Sequence, residues 1–354
     1  MKLLFLVPYP QSSAPSQRFR FEQYFTFLKE KGLEFDVQSF IDDATWKVLY
    51  QKGRVLKKLL GILKGFLRRF LILFQLRKYD YVFIHREAAP IGPPVFEYLI
   101  AKVFRKKIIF DFDDAIWLEN VSDSNKLFSK TKFYGKTKKI IQWAYKISCG
   151  NEYLCEYARQ FNQNVVLNPT TIDRQNLHKE VKDQNSKKPA IGWTGSHSTV
   201  KYLNEIIPVI KKLEDQIDFE FILISDRKPD WNLKSLKFIP WTKETEVGDL
   251  LRFNIGLMPI PDDEWTRGKC GFKALQYMSL GIPALVSPVA VNKNIVDNGI
   301  NGFWCNSPEE WEERILELLN NQALRIKMGK AAIEKIKSEF SVSANKNNFI
   351  SLFK

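Results

Sequence analysis

Along the first half of the chain, short apolar runs alternate with longer stretches in which apolar positions recur at helical spacing. The runs predict strands at 2–7, 81–85, 107–112, 146–149 and 164–167, and the periodic stretches predict helices near 19–31, 55–74 and 94–103. Such alternation describes a parallel, doubly wound α/β sheet with helices on its faces. From Thr170 to Pro189 the chain turns polar and loses its period, which predicts a linker over 171–189. The second half repeats the scheme, with strands expected near 190–193, 219–225, 237–240, 255–259, 282–287 and 302–305. Ser307-Pro308-Glu309-Glu310 reads as an N-cap, a proline in the first turn and two acids that favour a helix start. Two domains follow, 1–170 and 190–340, and a last helix over 341–354 is expected to return to the first.

Composition supports that division, because 354 residues of which 45% are hydrophobic can fill two cores. Cys149, Cys155, Cys270 and Cys305 form no CxxC pair, and His85, His178 and His197 lie far apart, so neither a zinc site nor a disulfide framework is indicated. The opening MKLLFLVPYP meets Pro8 and Pro10 before any long apolar run develops, which suits a first strand better than a secretion signal and makes a reducing cytoplasm the expected compartment.

Charge is unevenly placed. Residues 1–170 hold 28 Lys and Arg against 16 Asp and Glu, whereas residues 171–354 hold 26 against 24. Within the basic half, residues 45–78 carry ten cations and no acid, among them Lys52, Lys57, Lys58, Lys64, Arg68 and Arg69. Leu56, Leu59, Leu60, Leu63, Leu67, Phe70 and Phe74 recur there at helical spacing, with Lys57, Lys64 and Arg68 on another side of the same helix. The segment is therefore expected to dock on an anionic membrane surface, from the cytoplasmic side, without spanning it; the apolar stripe either enters the membrane or packs on the sheet. No recognised nucleic-acid motif accompanies the charge.

In doubly wound domains ligands bind where strands end and helices begin. The run Thr194-Gly195-Ser196-His197-Ser198-Thr199 leaves one such strand, followed by Lys201. Glycine admits a phosphate close to the backbone and hydroxyls donate to it, although the same residues suit an ordinary strand-to-helix turn. Arg267, Lys269 and Lys273 crowd the entry of a second helix with Gly268 and Gly271, a place where a diphosphate is welcome. In the first half, Asp111-Phe112-Asp113-Asp114 ends one strand and His85-Arg86-Glu87 another, which makes Asp113 and His85 candidates for cleft chemistry. Arg18 and Arg20, in the loop after the first strand, suit phosphate groups of an acceptor or a solvated helix face.

Lys273-x-x-Gln276-Tyr277-Met278-x-x-Gly281-x-Pro283, followed by Ser287-Pro288-Val289 and Asn298-Gly299-x-Asn301-Gly302, resembles the carboxy-terminal signature of the family 4, or group 1, glycosyltransferases. Ile191-Gly192-Trp193-Thr194-Gly195-Ser196, Asn168-Pro169 and Pro8-Tyr9-Pro10 extend the likeness over nearly the whole chain. The resemblance implies a GT-B fold of two facing Rossmann-like domains, with a nucleotide-sugar donor held by the second and a lipid-linked or cell-envelope glycan acceptor by the first. It further implies retention of anomeric configuration and neither metal nor cofactor beyond the nucleotide-sugar itself. By the same resemblance Gly195, Ser196, Lys201, Arg267 and Lys273 lie near the donor diphosphate. Gln276 takes the position of the glutamate that usually holds the ribose hydroxyls, and Asp113 lies nearest the position of a catalytic-site histidine. One departure stands out: the family's first glutamate would fall on Gly268, so the donor-sugar carboxylate is either missing or supplied from elsewhere, with Asp262, Asp263 and Glu264 upstream. Asp111-Phe112-Asp113 also matches the DxD pattern of metal-dependent transferases of another fold, a three-residue match outweighed by the rest of the chain. A sugar-nucleotide epimerase or hydrolase of the same fold, and a non-enzymatic basic binding protein, are the competing readings.

Overall fold

The computed structural model describes residues 1–49, 51, 53–119 and 133–354. The chain divides into two units, Met1–Thr170 with Asn345–Lys354, and Thr171–Ala344.

The first unit is built on six parallel strands in the order β2-β1-β3-β4-β5-β6. They are β1 (Lys2–Val7), β2 (Glu34–Ser39), β3 (Tyr81–His85), β4 (Lys107–Phe112), β5 (Lys146–Cys149) and β6 (Val165–Leu167). β1, β3, β4 and β5 coincide with the apolar runs because they are buried on both faces, which removes any need for alternation. β2 lies at the sheet edge and carries EFDVQS, a half-exposed pattern with no apolar run to announce it. The single helix expected over 19–31 is instead Pro15–Arg18, a tight turn at Glu22–Tyr24, and Phe25–Glu30. Gln17 bonds to the backbone of Tyr9 and Arg20 reaches Asp111, and these inward ties override the helical period. The chain end completes this core: Phe349 stacks on Tyr24 with centroids 4.3 Å apart, and Phe353 joins Phe5 and Phe83.

The second unit is a parallel sheet in the order β12-β11-β10-β7-β8-β9. Its strands are β7 (Ala190–Thr194), β8 (Glu220–Ser225), β9 (Leu236–Pro240), β10 (Ile255–Met258), β11 (Ala284–Val286) and β12 (Gly302–Trp304). Trp193, Phe221, Leu257 and Trp311 are among the side chains that fill one face. Ser307 caps the Pro308–Asn320 helix by accepting from the Glu310 backbone. Residues of the 171–189 stretch pack on this unit, with Lys182 N–H donating to Leu280 C=O and Gln184 exchanging bonds with Asn254.

In each sheet the strand order reverses once, between β1 and β3 in the first unit and between β7 and β10 in the second. The carboxyl ends of those strands are the topological switch points where open α/β sheets place their ligands.

Candidate active site

In the second unit, β7 ends in Thr194 and the chain turns at Gly195 into the short His197–Val200 helix. A methyl group at Gly195 would stand 2.5 Å from the Trp193 ring and 2.9 Å from Cε of Lys273, so only glycine lets this turn lie against the lysine. Lys273 rises from the first turn of the Phe272–Ser279 helix, and its ammonium sits 5.3 Å from the centroid of Trp193. The fold thus brings together two motifs nearly eighty residues apart. The turn itself is fixed from beneath: Tyr277, fully buried, accepts from the Thr194 N–H at 3.1 Å and donates to Leu257 C=O.

Ser196 is exposed and its hydroxyl lies 2.8 Å from that of Ser198. His197 is held by Asp226, whose carboxylate accepts both the His197 backbone N–H and its ring nitrogen at 2.6 Å. Burial pushes Asp226 up, but the two bonds from His197 outweigh it and hold the carboxyl below its usual range. Lys201 is exposed beside the Tyr202 ring, and Arg267 is exposed in an ion pair with Asp262. The buried Gln276 amide donates to Glu246 at 3.1 Å, and Glu246 is itself buried in the first turn of the Glu246–Leu250 helix. Sequence reading missed Glu246 and Asp226. Neither belongs to a motif, and the only hint at Glu246 is an amide at Gln276 where a carboxylate is usual.

In the first unit the ends of β3, β4 and β5 enclose a buried network. Asp111 receives the Arg20 guanidinium, the Ser148 hydroxyl at 2.6 Å and Nδ1 of His85 at 2.8 Å. Arg20 also donates to Asn168 C=O, and the Asn168 amide donates to Ser148. Burial pushes the Asp111 carboxyl up, yet Arg20 and the His85 bond together hold it well below the usual carboxylate range. Arg20 therefore does not face solvent as an acceptor-binding side chain; it neutralises Asp111. Arg18 is likewise buried, its guanidinium 5.0 Å from the Phe19 ring. Nδ1 of His85 is the ring nitrogen turned to Asp111, and Nε2 is buried with no hydrogen-bond partner among the described residues.

Asp113 and Asp114 share one partner. Arg86 donates to Asp113 at 2.8 Å and to Asp114 at 2.6 Å, while its backbone N–H bonds Asp111 C=O at 2.7 Å. Arg86 adopts this fork with φ of 60°, a left-handed conformation that costs a non-glycine residue free energy and gathers at functional sites. Asp111 and Asp113 thus serve separate partners. Among the described residues no cluster of His, Cys, Asp or Glu is suited to a metal ion.

The family model for glycosyl transferases group 1 matches residues 188–321, a span that contains Gly195, Lys273 and Gln276. Those residues form a group 1 glycosyltransferase domain. An uncharacterized glycosyltransferase of Methanocaldococcus jannaschii is 26% identical over 195 residues, covering 52% of this chain and 52% of that protein. The aligned region thus spans about half the length of that relative. Sucrose-phosphate synthase from Thermosynechococcus elongatus is similar in structure over 100% of this chain and 98% of its own, with a TM-score of 0.73 at 13% identity. Anabaena HepE in complex with UDP-glucose follows at 0.64 and 12% identity, covering 99% and 98%. At such identities the likeness establishes the fold, which is GT-B.

Proposed function

We propose that this chain is a retaining, metal-independent hexosyltransferase that moves a sugar from a nucleotide-sugar donor to a lipid-linked or cell-envelope glycan acceptor. The observation that carries the reading is the close approach of Gly195 and Lys273 at the end of β7. There a bare backbone turn, an ammonium and the entry of the Phe272–Ser279 helix converge on one side of Trp193. That arrangement suits the charge that develops on a departing diphosphate. Ser196, Lys201 and Arg267 line the loops around it as further donors. Gln276, held by Glu246, reads the ribose hydroxyls. The HepE complex with UDP-glucose supports a nucleotide-sugar as the class of donor.

In the chemistry proposed, the bond from the anomeric carbon to the diphosphate oxygen breaks as the acceptor oxygen bonds the same face. The acceptor's proton passes to the leaving diphosphate. In the first unit Asp113 and His85 position the acceptor hydroxyl, with His85 Nε2 as its hydrogen-bond partner, and Arg18 supplies nearby charge. Asp111 and Arg20 fix the imidazole rather than touch substrate. Rate then comes mainly from positioning.

The experiment is a thermal-shift panel of UDP-, GDP-, ADP- and TDP-sugars, followed by product analysis with and without a lipid-linked acceptor. One nucleotide class is expected to raise the melting temperature, and sugar transfer is expected only with acceptor. Release of free sugar or of an epimer at the same rate without acceptor would replace transferase by hydrolase or epimerase.

A further inference from the structure

The Val55–Leu73 helix has two apolar faces, and the described residues cover only one. Toward the sheet, Gly61 lies so close to Thr45 that a methyl group there would stand 2.2 Å from its hydroxyl, and Gly65 meets Phe40 in the same way. Ile62 and Phe66 pack into the cluster around Phe40 and Ile41. Arg69 is wholly buried on this side and donates to the carbonyls of Val7, Gln38 and Ala88. Arg68 bonds Phe40 C=O at 2.8 Å. Two of the ten cations of the basic stretch are therefore turned inward, and Lys52 lies outside the described residues.

On the opposite side Leu56, Leu59, Leu63, Leu67, Phe70 and Phe74 are each 50–69% exposed. At about 1.5 Å per residue they form a stripe about 27 Å long, far more continuous than the scattered apolar residues of an ordinary surface. Lys57 and Lys64 are exposed along one flank, and the helix contains no acidic residue. None of the described helices is long and apolar enough to cross a membrane, and the covered face of this one ties it to the sheet.

We propose that this stripe docks the first unit in the plane of a membrane rich in anionic phospholipid. The leucines and phenylalanines enter the acyl boundary, while Lys57 and Lys64 stay among the headgroups. Charge selects this occupant over a second copy of the chain, which would set like cations against each other along the same flank. The proposal goes beyond the transferase reading, since docking needs no sugar chemistry and is measured without it.

The test is sedimentation of the full chain with phosphatidylcholine vesicles, with and without phosphatidylglycerol, alongside its mass in solution by light scattering. Wild type is expected to pellet with the anionic vesicles and to be released in part by high salt. Replacing Leu59, Leu63 and Phe70 by Ser should lower partitioning at least about tenfold, as apolar area no longer leaves water. Lys57→Gln with Lys64→Gln should cost about fivefold for each lysine that reaches the surface. All five side chains are exposed, so melting temperatures should hold, and the lysine pair and the salt titration test the proposal even if the serine variant folds poorly. Equal partitioning of wild type and both variants overturns it. So does equal binding to vesicles without phosphatidylglycerol, or a wild-type dimer that ignores vesicles and becomes monomeric in the serine variant.

Discussion

At its switch point the first unit spends its charges on one another: Arg20 on Asp111, and Arg86 on Asp113 and Asp114. At the corresponding point of the second unit, the Gly195 turn lies against Lys273 with the exposed Ser196 and Lys201 nearby, and the buried Glu246 carboxylate accepts from the Gln276 amide. The sheets are alike, yet the first site is an ionic lattice and the second sets a lysine against a bare glycine turn. The lattice suits an acceptor hydroxyl, which carries no charge and needs aimed groups. The lysine and the turn suit a diphosphate, as proposed above. Net charge alone does not reveal this, because the more basic half of the chain is the one whose site is internally neutralised.

The largest effect expected from breaking the comparison is at Asp111. Asp111→Asn leaves the Arg20 guanidinium buried without a counter-charge, and stability should fall by about 3–5 kcal/mol in denaturant titration. The pH dependence follows from the lowered carboxyl. A group whose folded-state pKa is depressed contributes stability above its unfolded pKa and loses it as pH falls through the folded value. The wild-type contribution should thus be level from neutral pH down to about pH 4, and erode only below it. In the Asn variant that acid-side erosion should be missing.

Next come two variants that separate the units by function. Asp113→Asn keeps an oxygen for Arg86, which retains Asp114 as well, so the fold and nucleotide-sugar binding should survive. Turnover should fall by about a hundredfold, the range for misplacing a reacting group by about 1 Å. Lys273→Ala should do the reverse of this split, weakening donor binding by a factor of roughly 10–100, about 1.5–3 kcal/mol for charge-assisted bonds to phosphate. Calorimetric titration of the nucleotide-sugar alongside single-turnover rates distinguishes them. If Asp113→Asn retains full turnover, the Arg86 fork is structural and His85 is the better candidate.

Much of this fold was legible because its central strands are continuous apolar runs that admit one interpretation, as Tyr81–His85 and Lys107–Phe112 illustrate. β2 was not, since an edge strand half in water needs no apolar run. In the site, Gly195 and Lys273 were visible as motifs, but their adjacency was not, because it depends on β7 and β10 being neighbours in the sheet. His85, Arg20 and Asp111 were each noticed at strand ends, whereas their mutual burial comes from long-range pairing that no local spacing encodes. The Leu56–Phe74 stripe shows the converse. Its period gave the helix and left open which apolar face is covered; Gly61 and Gly65 decide that by letting the helix approach Phe40 and Thr45 on the other side.

The finest test of the comparison places a second buried charge in the second unit. Gln276→Glu restores the residue usual in the family, but here it would set two buried carboxylates side by side, 276 against Glu246, with an acceptor where the amide now donates. In the first unit Asp111 tolerates burial because Arg20 faces it, whereas the partner seen at Glu246 is the neutral Gln276 amide, which the substitution removes. Like charges in a dry site cannot both ionise at ease, so one carboxyl of the new pair should keep its proton well above the ordinary range. Its folded-state pKa would then exceed the unfolded one, and the native state would bind more protons than the unfolded chain at neutral pH. Stability should accordingly be lower than wild type at pH 7 and recover toward it on acidification to pH 5, by about 1.4 kcal/mol for each unit of upward shift. Thermal unfolding at the two pH values reads this directly. A variant as stable as wild type at both would mean that the second site compensates a new buried carboxylate as fully as Arg20 compensates Asp111, and the contrast between the two sites would no longer hold.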